Sequence, residues 1–248
     1  NGTETDPYLI NNSSELQAIE DDLDAHYELA ADIDASNTTR WNDGQGFDPI
    51  GNASTPFNGS FDGANHTITG LTIDRPETFD TGLFGAVEDG GTVKRVHLRN
   101  ADITGDLRSG LLAGGVSSGG VVYSSSASGN VTGRSNVGGA VGDVNGGTVE
   151  NVSATVDVEG EDSVGGLAGS VRGSGLVESS DTQSSGSGEE SVGGFTGSIS
   201  TSVAVVRDST ADTTVNGTTD VGGFVGRIEA GTIERSSASG NVTAPGRL

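Results

Sequence analysis

Val137-Gly-Gly-Ala-Val-Gly142 returns as Val164-Gly-Gly-Leu-Ala-Gly169, and this glycine-rich hexapeptide decides the fold. Two more copies and two looser ones extend the series, so that six units open at residues 80, 109, 137, 164, 192 and 221. The spacings between these openings are 29, 28, 27, 28 and 29 residues. So steady a period is typical of a solenoid, in which each unit stacks on the one before it.

Aligning the six units position by position shows a first strand with one apolar face. The fourth and eighth positions are apolar in every unit, and the sixth is always glycine. Because side chains alternate along a strand, these three positions lie on the same side, which we expect to point into the solenoid. The fourth position reads Leu83, Leu112, Ala140, Leu167, Phe195 and Phe224, and the eighth reads Val87, Val116, Val144, Val171, Ile199 and Ile228.

Two further strands follow in each unit, each with its own aliphatic column. Three positions after the second column stands a small or apolar residue, so that stacked units would form a ladder of compact side chains. The third column fails in the fourth unit, whose segment 182–188 is nearly all Ser and Gly, and there we expect a bulge or a loop. The second column reads Val93, Val122, Val149, Val177, Val206 and Ile233, and the third reads Ile103, Val131, Val158, Val215 and Val242.

These features predict an all-β fold. We expect a single-stranded parallel β-helix, or β-solenoid, with three short strands per coil and a small N-terminal α/β cap. The coil should be right-handed, as parallel crossovers usually are. Residues 1–48 are predicted to form the cap, 49–79 irregular leading coils, and 80–248 the six repeats. One unit alone buries too little apolar surface to offset the entropy cost of ordering its backbone, so stability requires stacking.

The two ends of the predicted stack differ. At the N-terminal end, Asn12, Ser13 or Ser14 can cap a short helix that carries Leu16 and Ile19 and covers the first coil. After the last third strand only a short tail ending in Pro-Gly-Arg-Leu remains. Three alternatives follow: the chain is part of a longer array, the tail plugs the end, or the end docks onto another molecule. We expect this end to be the main surface for self-association, because uncovered strand edges pair readily.

The composition is strongly acidic, with 35 Asp and Glu against 12 Lys and Arg and a net charge of −23. Lys94 is the single lysine. This balance favours a protein kept soluble in concentrated salt, where screening shortens the reach of self-repulsion; an ordinary acidic secreted protein and a calcium-dependent one are the alternatives. The charge argues against a nucleic-acid partner. Cysteine is absent, and no apolar run is long enough to span a membrane.

The glycine-rich openings resemble the GLUG motif. The resemblance is carried by the copies at residues 137, 164, 192 and 221, and by the segments SSASGNVTG at 125–133 and SSASGNVT at 236–243. The first two units depart from the motif at its first glycines. GLUG repeats occur in large secreted and surface proteins of bacteria and archaea, including adhesins and some peptidases in which the repeats are not the catalytic part. The resemblance therefore implies a β-solenoid on a cell surface, and it implies no catalytic residues.

Many parallel β-helices cleave polysaccharides with clustered acids, so the glutamates beside the second strand are candidate catalytic groups. Glu150 and Glu178 share one column and should lie one coil apart, at about 4.8 Å, near the separation of a glycosidase pair. Glu234 shares that column beyond Arg207. A solvated outer face explains a repeated Glu column more simply, and no histidine stands in a pattern typical of nucleophilic catalysis. We therefore predict that the chain is not an enzyme.

A polar loop in the cap is the best candidate for metal chemistry. It supplies Asp32, Asp34, Asp43 and Asp48 around Trp41, and calcium takes six to eight oxygen ligands from such loops. The glycine and glutamate of an EF-hand loop are missing, and Asp32 and Asp34 could equally cap turns. Calcium is the one cofactor that the sequence suggests.

Asparagines that stand two residues before Ser or Thr are dense, which favours an extracellular or cell-surface address. Chance accounts for many of them in so polar a chain. The candidate N-glycosylation sites are Asn52, Asn58, Asn130, Asn151, Asn216 and Asn241.

Two functions remain open from the sequence. The first is a non-enzymatic extracellular structural or adhesive protein, a rigid solenoid for cell-surface attachment or for self-assembly, end to end or laterally, into filaments. The second is a carbohydrate-binding or polysaccharide-cleaving β-helix, whose partner would be a surface polysaccharide. That second function requires a groove lined by acids, arginine and aromatic residues along several coils.

Overall fold

The computed structural model describes residues 1–245 and confirms an all-β parallel solenoid of about seven turns. Strands of successive coils pair in parallel in one sheet of 20 strands and a second sheet of five. No helix within residues 1–245 is both long enough and apolar enough to cross a bilayer. The tail Gly246–Leu248, which the sequence offers as a plug, lies outside the described residues.

The N-terminal part combines short helical turns with short strands. Helix α1 spans Ser13–Gln17, and 3-10 turns span Ala18–Asp21, Ser36–Arg40 and Asn42–Gly44. The predicted helix cap is confirmed, because Asn12 Oδ1 accepts the Glu15 N–H at 3.0 Å. Leu16 and Ile19 are fully buried beneath it. The strands of this part are β1 Tyr8–Ile10, β2 His26–Leu29, β3 Ile33–Asp34, β4 Ser60–Asp62, β5 Thr67–Thr69 and β6 Thr72–Asp74.

The repeats contain the remaining strands. Their bounds are β7 Phe84–Val87, β8 Thr92–Lys94, β9 His97–Thr104, β10 Leu107–Ser109, β11 Ala113–Ser117, β12 Val121–Thr132, β13 Ser135–Gly138, β14 Val141–Asn145, β15 Thr148–Glu159, β16 Asp162–Gly165, β17 Ala168–Arg172, β18 Leu176–Glu178, β19 Asp181–Ser187, β20 Glu190–Gly193, β21 Thr196–Arg207, β22 Thr210–Asn216, β23 Thr219–Gly222, β24 Val225–Glu234 and β25 Ser237–Thr243.

Five of the six units contain three strands, as predicted, whereas the fourth contains four, β16 to β19, and the borders between strands differ from the sequence alignment. The glycine-rich opening forms a strand of its own, and these strands build the five-stranded sheet. The predicted second and third strands are continuous in β12 and β15. Ser124 and Asn151 turn the chain within these strands by taking left-handed backbone conformations, with φ of 50° and 52°. The sequence alignment places Asp80 and Ser109 at the same position of the first and second units. In the structure, however, Thr81 pairs with Ser109.

The aliphatic columns form the interior of the stack. Val122, Val149, Val177 and Val206, in the second column, are at most 1% exposed. The sixth-position glycines allow neighbouring coils to approach closely. A Cβ on Gly142 would lie within about 2.6 Å of the backbone of Arg108 and Ser109 on the preceding coil, and a side chain there cannot be accommodated.

The compact ladder after the second column is held by hydrogen bonds as well as by packing. Ser180 Oγ accepts the Val152 N–H of the preceding coil at 3.1 Å and donates to its own Glu178 carbonyl at 2.8 Å. Ser209 repeats the arrangement with Ser180 N–H and the Arg207 carbonyl. These buried hydroxyls satisfy a backbone donor and an acceptor at the turn, which a valine cannot do.

The bulge expected in the fourth unit is wrong. Strand β19 pairs residue by residue with β15 on one side and β22 on the other, without a register shift. Gly186 takes the place of the column valine between Val158 and Val215, and the space where its Cβ would lie is empty. Backbone hydrogen bonds to two flanking coils hold this Ser- and Gly-rich strand straight. Register shifts occur elsewhere, after Ala127 and between Ile199 and Val205.

Candidate functional site

The outer face of the second strands carries one continuous row of mostly charged side chains, here named the charged column. Backbone pairing places each member beside the next one on the neighbouring coil. Glu150 lies beside Glu178, and Arg207 separates Glu178 from Glu234, as the sequence alignment predicted. In coil order the charged column reads Glu28, Asp62, Lys94, Tyr123, Glu150, Glu178, Arg207 and Glu234.

Arg207 limits what the two adjacent glutamates can do. Its Nε donates to Glu178 Oε2 at 2.6 Å, so one carboxylate of the pair is committed to an ion pair with the next coil. A glycosidase needs two carboxyl groups that both face the substrate. The arrangement fits a solvated, cross-linked outer face better than a catalytic pair.

At its N-terminal end the charged column widens into a groove of about 440 Å³, here named the N-terminal groove. Strands β2, β4, β8 and β12 supply its lining from four successive coils. His26 and Ser60 line it side by side, with His26 Nδ1 2.6 Å from Ser60 Oγ. The half-buried Tyr123 contributes an aromatic ring to the lining, and Lys94 contributes an amino group.

Asp62 is a buried carboxylate that holds the basic side chain of the N-terminal groove in place. It is 8% exposed and receives hydrogen bonds from Arg95, whose Nε lies 2.8 Å from Oδ1, and from the Ala64 N–H at 2.9 Å. Lys94 Nζ lies 3.4 Å from Oδ2. Burial alone would raise the pKa of Asp62, but the hydrogen bonds from Arg95 and Ala64 outweigh it and lower the pKa. Asp62 therefore stays ionised and holds Lys94 at the groove.

The chemistry of the N-terminal groove suits binding. Its lining offers hydroxyls, an imidazole, an amine, carboxylates and the aromatic rings of Tyr27 and Tyr123. Such a mixture of donors and acceptors matches a polyhydroxylated ligand. The groove is not apparent from the repeat, because its first three coils are separated by 34 and 32 residues instead of about 28. His26 pairs with Ser60, and Ser60 pairs with Thr92. Aligning HYE at 26–28 with SFD at 60–62 and TVK at 92–94 would have shown it.

Arginines join successive coils along the stack. Arg172 donates from Nε to Asp143 Oδ1 at 2.9 Å and from Nη2 to Oδ2 at 2.6 Å, and the Asp143 side chain is 4% exposed. Such two-point bonds are stronger and more directional than single ones. These arginines therefore serve the fold and do not form a row for ligands. The inter-coil pairs are Arg95–Asp62, Arg108–Asp80, Arg134–Asp106, Arg172–Asp143, Arg207–Glu178 and Arg235–Asp208.

The candidate calcium ligands have separate local partners. Asp32 Oδ1 accepts the Thr67 N–H at 2.9 Å and lies 3.1 Å from His66 Nδ1. Asp34 Oδ1 accepts the Ser36 N–H at 3.0 Å, as in a capped turn. These hydrogen bonds lower the pKa of both aspartates, chiefly through Thr67 for Asp32 and through Ser36 for Asp34.

The other two candidate calcium ligands stand elsewhere in the same loop. Asp43 is exposed and has a left-handed backbone, with φ of 56°. Asp48 Oδ1 lies 3.3 Å from Arg75 Nη1. Among residues 1–245, no three or more His, Cys, Asp or Glu side chains are grouped as a metal ion would need. Calcium binding stays a prediction, and a calcium titration of the folded protein would test it.

Glu20, in the 3-10 turn Ala18–Asp21, is a titratable group with an unusual environment. It lines a cleft of about 460 Å³ with Trp41 and Asp48. Desolvation in this cleft, followed by the charge of Asp48, raises the pKa of Glu20 to about 7. Its local sequence carries no signal of this environment, because Asp48 comes from a distant loop.

The sequon asparagines differ in their surroundings. Asn52, Asn130, Asn151, Asn216 and Asn241 are exposed, whereas Asn58 is half-buried. Exposure is a first requirement for modification, so the structure separates Asn58 from the others.

Comparison with known proteins gives a family match to one of the six units. Residues 217–243 match the family model described as the GLUG motif. Halomucin of Haloquadratum walsbyi is 45% identical over 150 residues, which are 57% of this chain and 2% of that protein. A protein of Evansella cellulosilytica, named as a Gly-rich membrane protein, is 36% identical over 109 residues, which are 42% of this chain and 12% of that protein. The chain thus spans a small part of the length of the relatives it matches.

One solved structure shares the fold. The crystal structure of a Bacteroides ovatus protein, named as an immunoglobulin A1 protease, superposes with a TM-score of 0.65 and 18% identity. The match covers 98% of this chain and 78% of the other. At that identity the likeness shows the fold alone.

Proposed function

We propose that this chain, a β-solenoid built from GLUG repeats, is a non-enzymatic structural and adhesive module of an extracellular or cell-surface protein. The observation that carries the proposal is the unbroken stacking of the repeats: strands pair coil by coil from β7 to β25. Each coil extends the stack by about 4.8 Å and is cross-linked to its neighbour by backbone bonds and arginine pairs. A stack joined in this way is a stiff rod.

The composition and the relatives support the proposed setting. A net charge of −23 suits a soluble protein in concentrated salt, and the haloarchaeal Halomucin carries a related sequence. The paired Arg207 and Glu178 also speak against a catalytic glutamate pair. The test is to label whole source cells with a membrane-impermeant amine reagent and to look for modified Lys94. A protein labelled only after lysis would contradict the proposed location.

Self-association through the last described coil is part of the proposal. Ile228, Ile233 and Val242 are 54%, 37% and 48% exposed there, so this coil offers apolar side chains to a further coil, whether that coil belongs to the same protein or to another copy. Apolar column ends beside strand edges can pair with another copy.

Sedimentation in concentrated salt checks this association. We expect the wild type to form oligomers as its concentration rises, and the double variant Ile228→Glu/Ile233→Glu to stay monomeric. Val203→Glu is the matched control, because Val203 is 62% exposed but precedes the last coil. A wild type that remains monomeric at high concentration would remove self-assembly from the proposal.

The N-terminal groove favours a second candidate function, carbohydrate binding. Its lining of Tyr123, Lys94, His26 and carboxylates across four coils supports this candidate, with Lys94 as the basic group in place of an arginine. A glycan array should then give hits that Tyr123→Ala and Lys94→Ala weaken by about tenfold. Tyr8→Ala is the control, since this 43% exposed tyrosine lies outside the groove. An array without hits, or hits that the groove variants leave unchanged, would exclude this candidate.

A further inference from the structure

We propose that one face of the solenoid carries N-linked glycans, attached at Asn130, Asn216 and Asn241. This face is formed by the outward side chains of the second half of β12, of the second half of β15, and of β19, β22 and β25, and is here named the third-strand face. The inference rests on the proposed extracellular location, because glycan transfer to such sequons accompanies export.

The strand register places the three asparagines together. Asn130 pairs with Asp157, which is followed in the same outward column by Ser185, Thr214 and Asn241. Four coil steps separate Asn130 from Asn241, or about 19 Å at the usual strand spacing. Asn216 stands in the neighbouring outward column, beside Thr243. The three sites therefore form one patch.

The side chains at these three sites are available for modification. All three asparagines are exposed. Within residues 1–245 their amide groups make no side-chain hydrogen bond that a glycan would break. Thr132 and Thr243, the second recognition residues of two of these sequons, are exposed on the same face, because residues i and i+2 of a strand point the same way.

Two other sequons are poor acceptors for reasons visible in their contacts. Asn58 is half-buried, its Nδ2 donates to Asp24 Oδ1 at 3.2 Å, and its Oδ1 is enclosed without a hydrogen-bond partner in the described residues. Asn151 lies at the left-handed turn inside β15, and its Nδ2 donates to Ser124 Oγ at 3.2 Å. Glycans at these positions would break inter-coil contacts. Asn52 lies in a separate turn and is not part of this face.

The modification is a glycosyl transfer by an enzyme of the host cell. The amide nitrogen Nδ2 forms a bond to the anomeric carbon of a glycan activated on a polyprenyl phosphate lipid. The bond from that carbon to the lipid phosphate breaks, the phosphate leaves with its electron pair, and the amide gives up one proton. This chain needs to supply only the exposed amide and the hydroxyl of the sequon's Ser or Thr.

A one-sided glycan patch leaves the charged column uncovered. The charged column and the third-strand face are separated by the left-handed turns at Ser124 and Asn151. Glycans on the third-strand face would keep that face hydrated. Lateral protein contacts would then form on the face that carries the charged column.

Glycopeptide mass spectrometry on the protein purified from its source cells tests the inference. We expect glycans at Asn130, Asn216 and Asn241 and none at Asn58 or Asn151. Thr132→Val should remove the glycan at Asn130, because it destroys the sequon at an exposed position. Thr132→Ser is the matched control and should retain it.

The outcomes separate this inference from the function on which it rests. A protein recovered outside the cells without glycans, or with glycans at Asn58 or Asn151, overturns the glycan patch and leaves the proposed function standing. Retention of the glycan in Thr132→Val would also overturn it. A protein found only inside the cells overturns the proposed function and the glycan patch together.

Discussion

The leading region, residues 1–79, and the repeats, residues 80–245, fill their interiors in opposite ways. Phe47, Phe57 and Phe61 occupy the interior of the leading region and are fully buried. The repeats use mainly Val, Ala, Ser, Thr and Gly with some Leu and Ile, apart from Phe84 at the border and the parallel pair Phe195 and Phe224, whose ring centroids are 4.7 Å apart. Irregular coils leave space that large side chains must occupy, whereas regular coils let backbones touch. Stability should therefore respond to lost volume in the first region and to added volume in the second.

Phe84→Ala should have the largest effect, because this residue joins the two regions. Its ring lies 5.0 Å from that of Phe57 and 5.4 Å from that of Phe61, and it is fully buried. Replacing a buried Phe by Ala costs about 3–5 kcal/mol. Denaturant unfolding of the two proteins measures the difference. Val141→Ala, in the same column of the repeats, should cost about half as much or less. Equal losses would contradict the contrast between the regions.

Gly166→Ala should destabilise the repeats, because it adds volume where two coils are in contact. A Cβ at this position would overlap the carbonyl oxygen of Gly194 on the next coil and the hydroxyl of Ser184. Overpacking of this kind costs about 1–3 kcal/mol, and here the obstacle includes backbone that cannot rotate away. The free energy of unfolding should fall accordingly. Gly186→Ala adds the same methyl group at an open position and should not destabilise.

Gly186→Val should stabilise the protein by about 1–2 kcal/mol, because it restores the missing member of the third column. Val158 and Val215 flank the empty space on the two neighbouring coils. A rise in the unfolding midpoint measures the gain. Gln183→Val places the same side chain on the exposed side of β19 and should give no comparable rise. A loss of stability in Gly186→Val would show that the interior has closed around the glycine.

Residues with one structural requirement were predictable from the sequence. The columns of Val122 and Val144 need only an apolar side chain at a fixed period, and the period was visible. The straight strand β19 was not predictable from the sequence, because Ser and Gly are weak strand formers. Its conformation is imposed by pairing with the flanking coils. The left-handed turns at Ser124 and Asn151 were also missed. Their requirement is backbone geometry, which several residue types can meet.

The candidate site was predictable only where it follows the repeat. Glu150 and Glu178 were placed in one column because their units are 28 residues apart. The N-terminal groove combines His26, Ser60 and Tyr123 from coils of different length, and no single period relates them. The pKa of Glu20 depends on desolvation in the cleft and then on the charge of Asp48, and its local sequence shows neither.

The leading region should also show a pH response, which we expect to be the smallest effect. The pKa of Glu20, raised to about 7, lies above its ordinary value of 4.5, so the folded state holds this proton more tightly than the unfolded chain. Stability is therefore lost as the pH rises from about 4.5 to 7. Glu20→Gln removes this loss and should unfold at a higher denaturant concentration than the wild type at pH 8, with the gap closing toward pH 5.

Glu15→Gln, in helix α1 just before the 3-10 turn that holds Glu20, is the control of opposite sign. Hydrogen bonds from the backbone and side chain of Asn11 lower the pKa of Glu15, so its carboxylate stabilises the fold at neutral pH and loses that contribution as the pH falls. Both variants remove one negative charge, which cancels any effect of net charge between them. At pH 8 the Glu20 variant should therefore be the more stable and the Glu15 variant the less stable of the two, relative to the wild type. Shifts of the same sign would mean that overall charge, and not the cleft beside Trp41, governs the pH response.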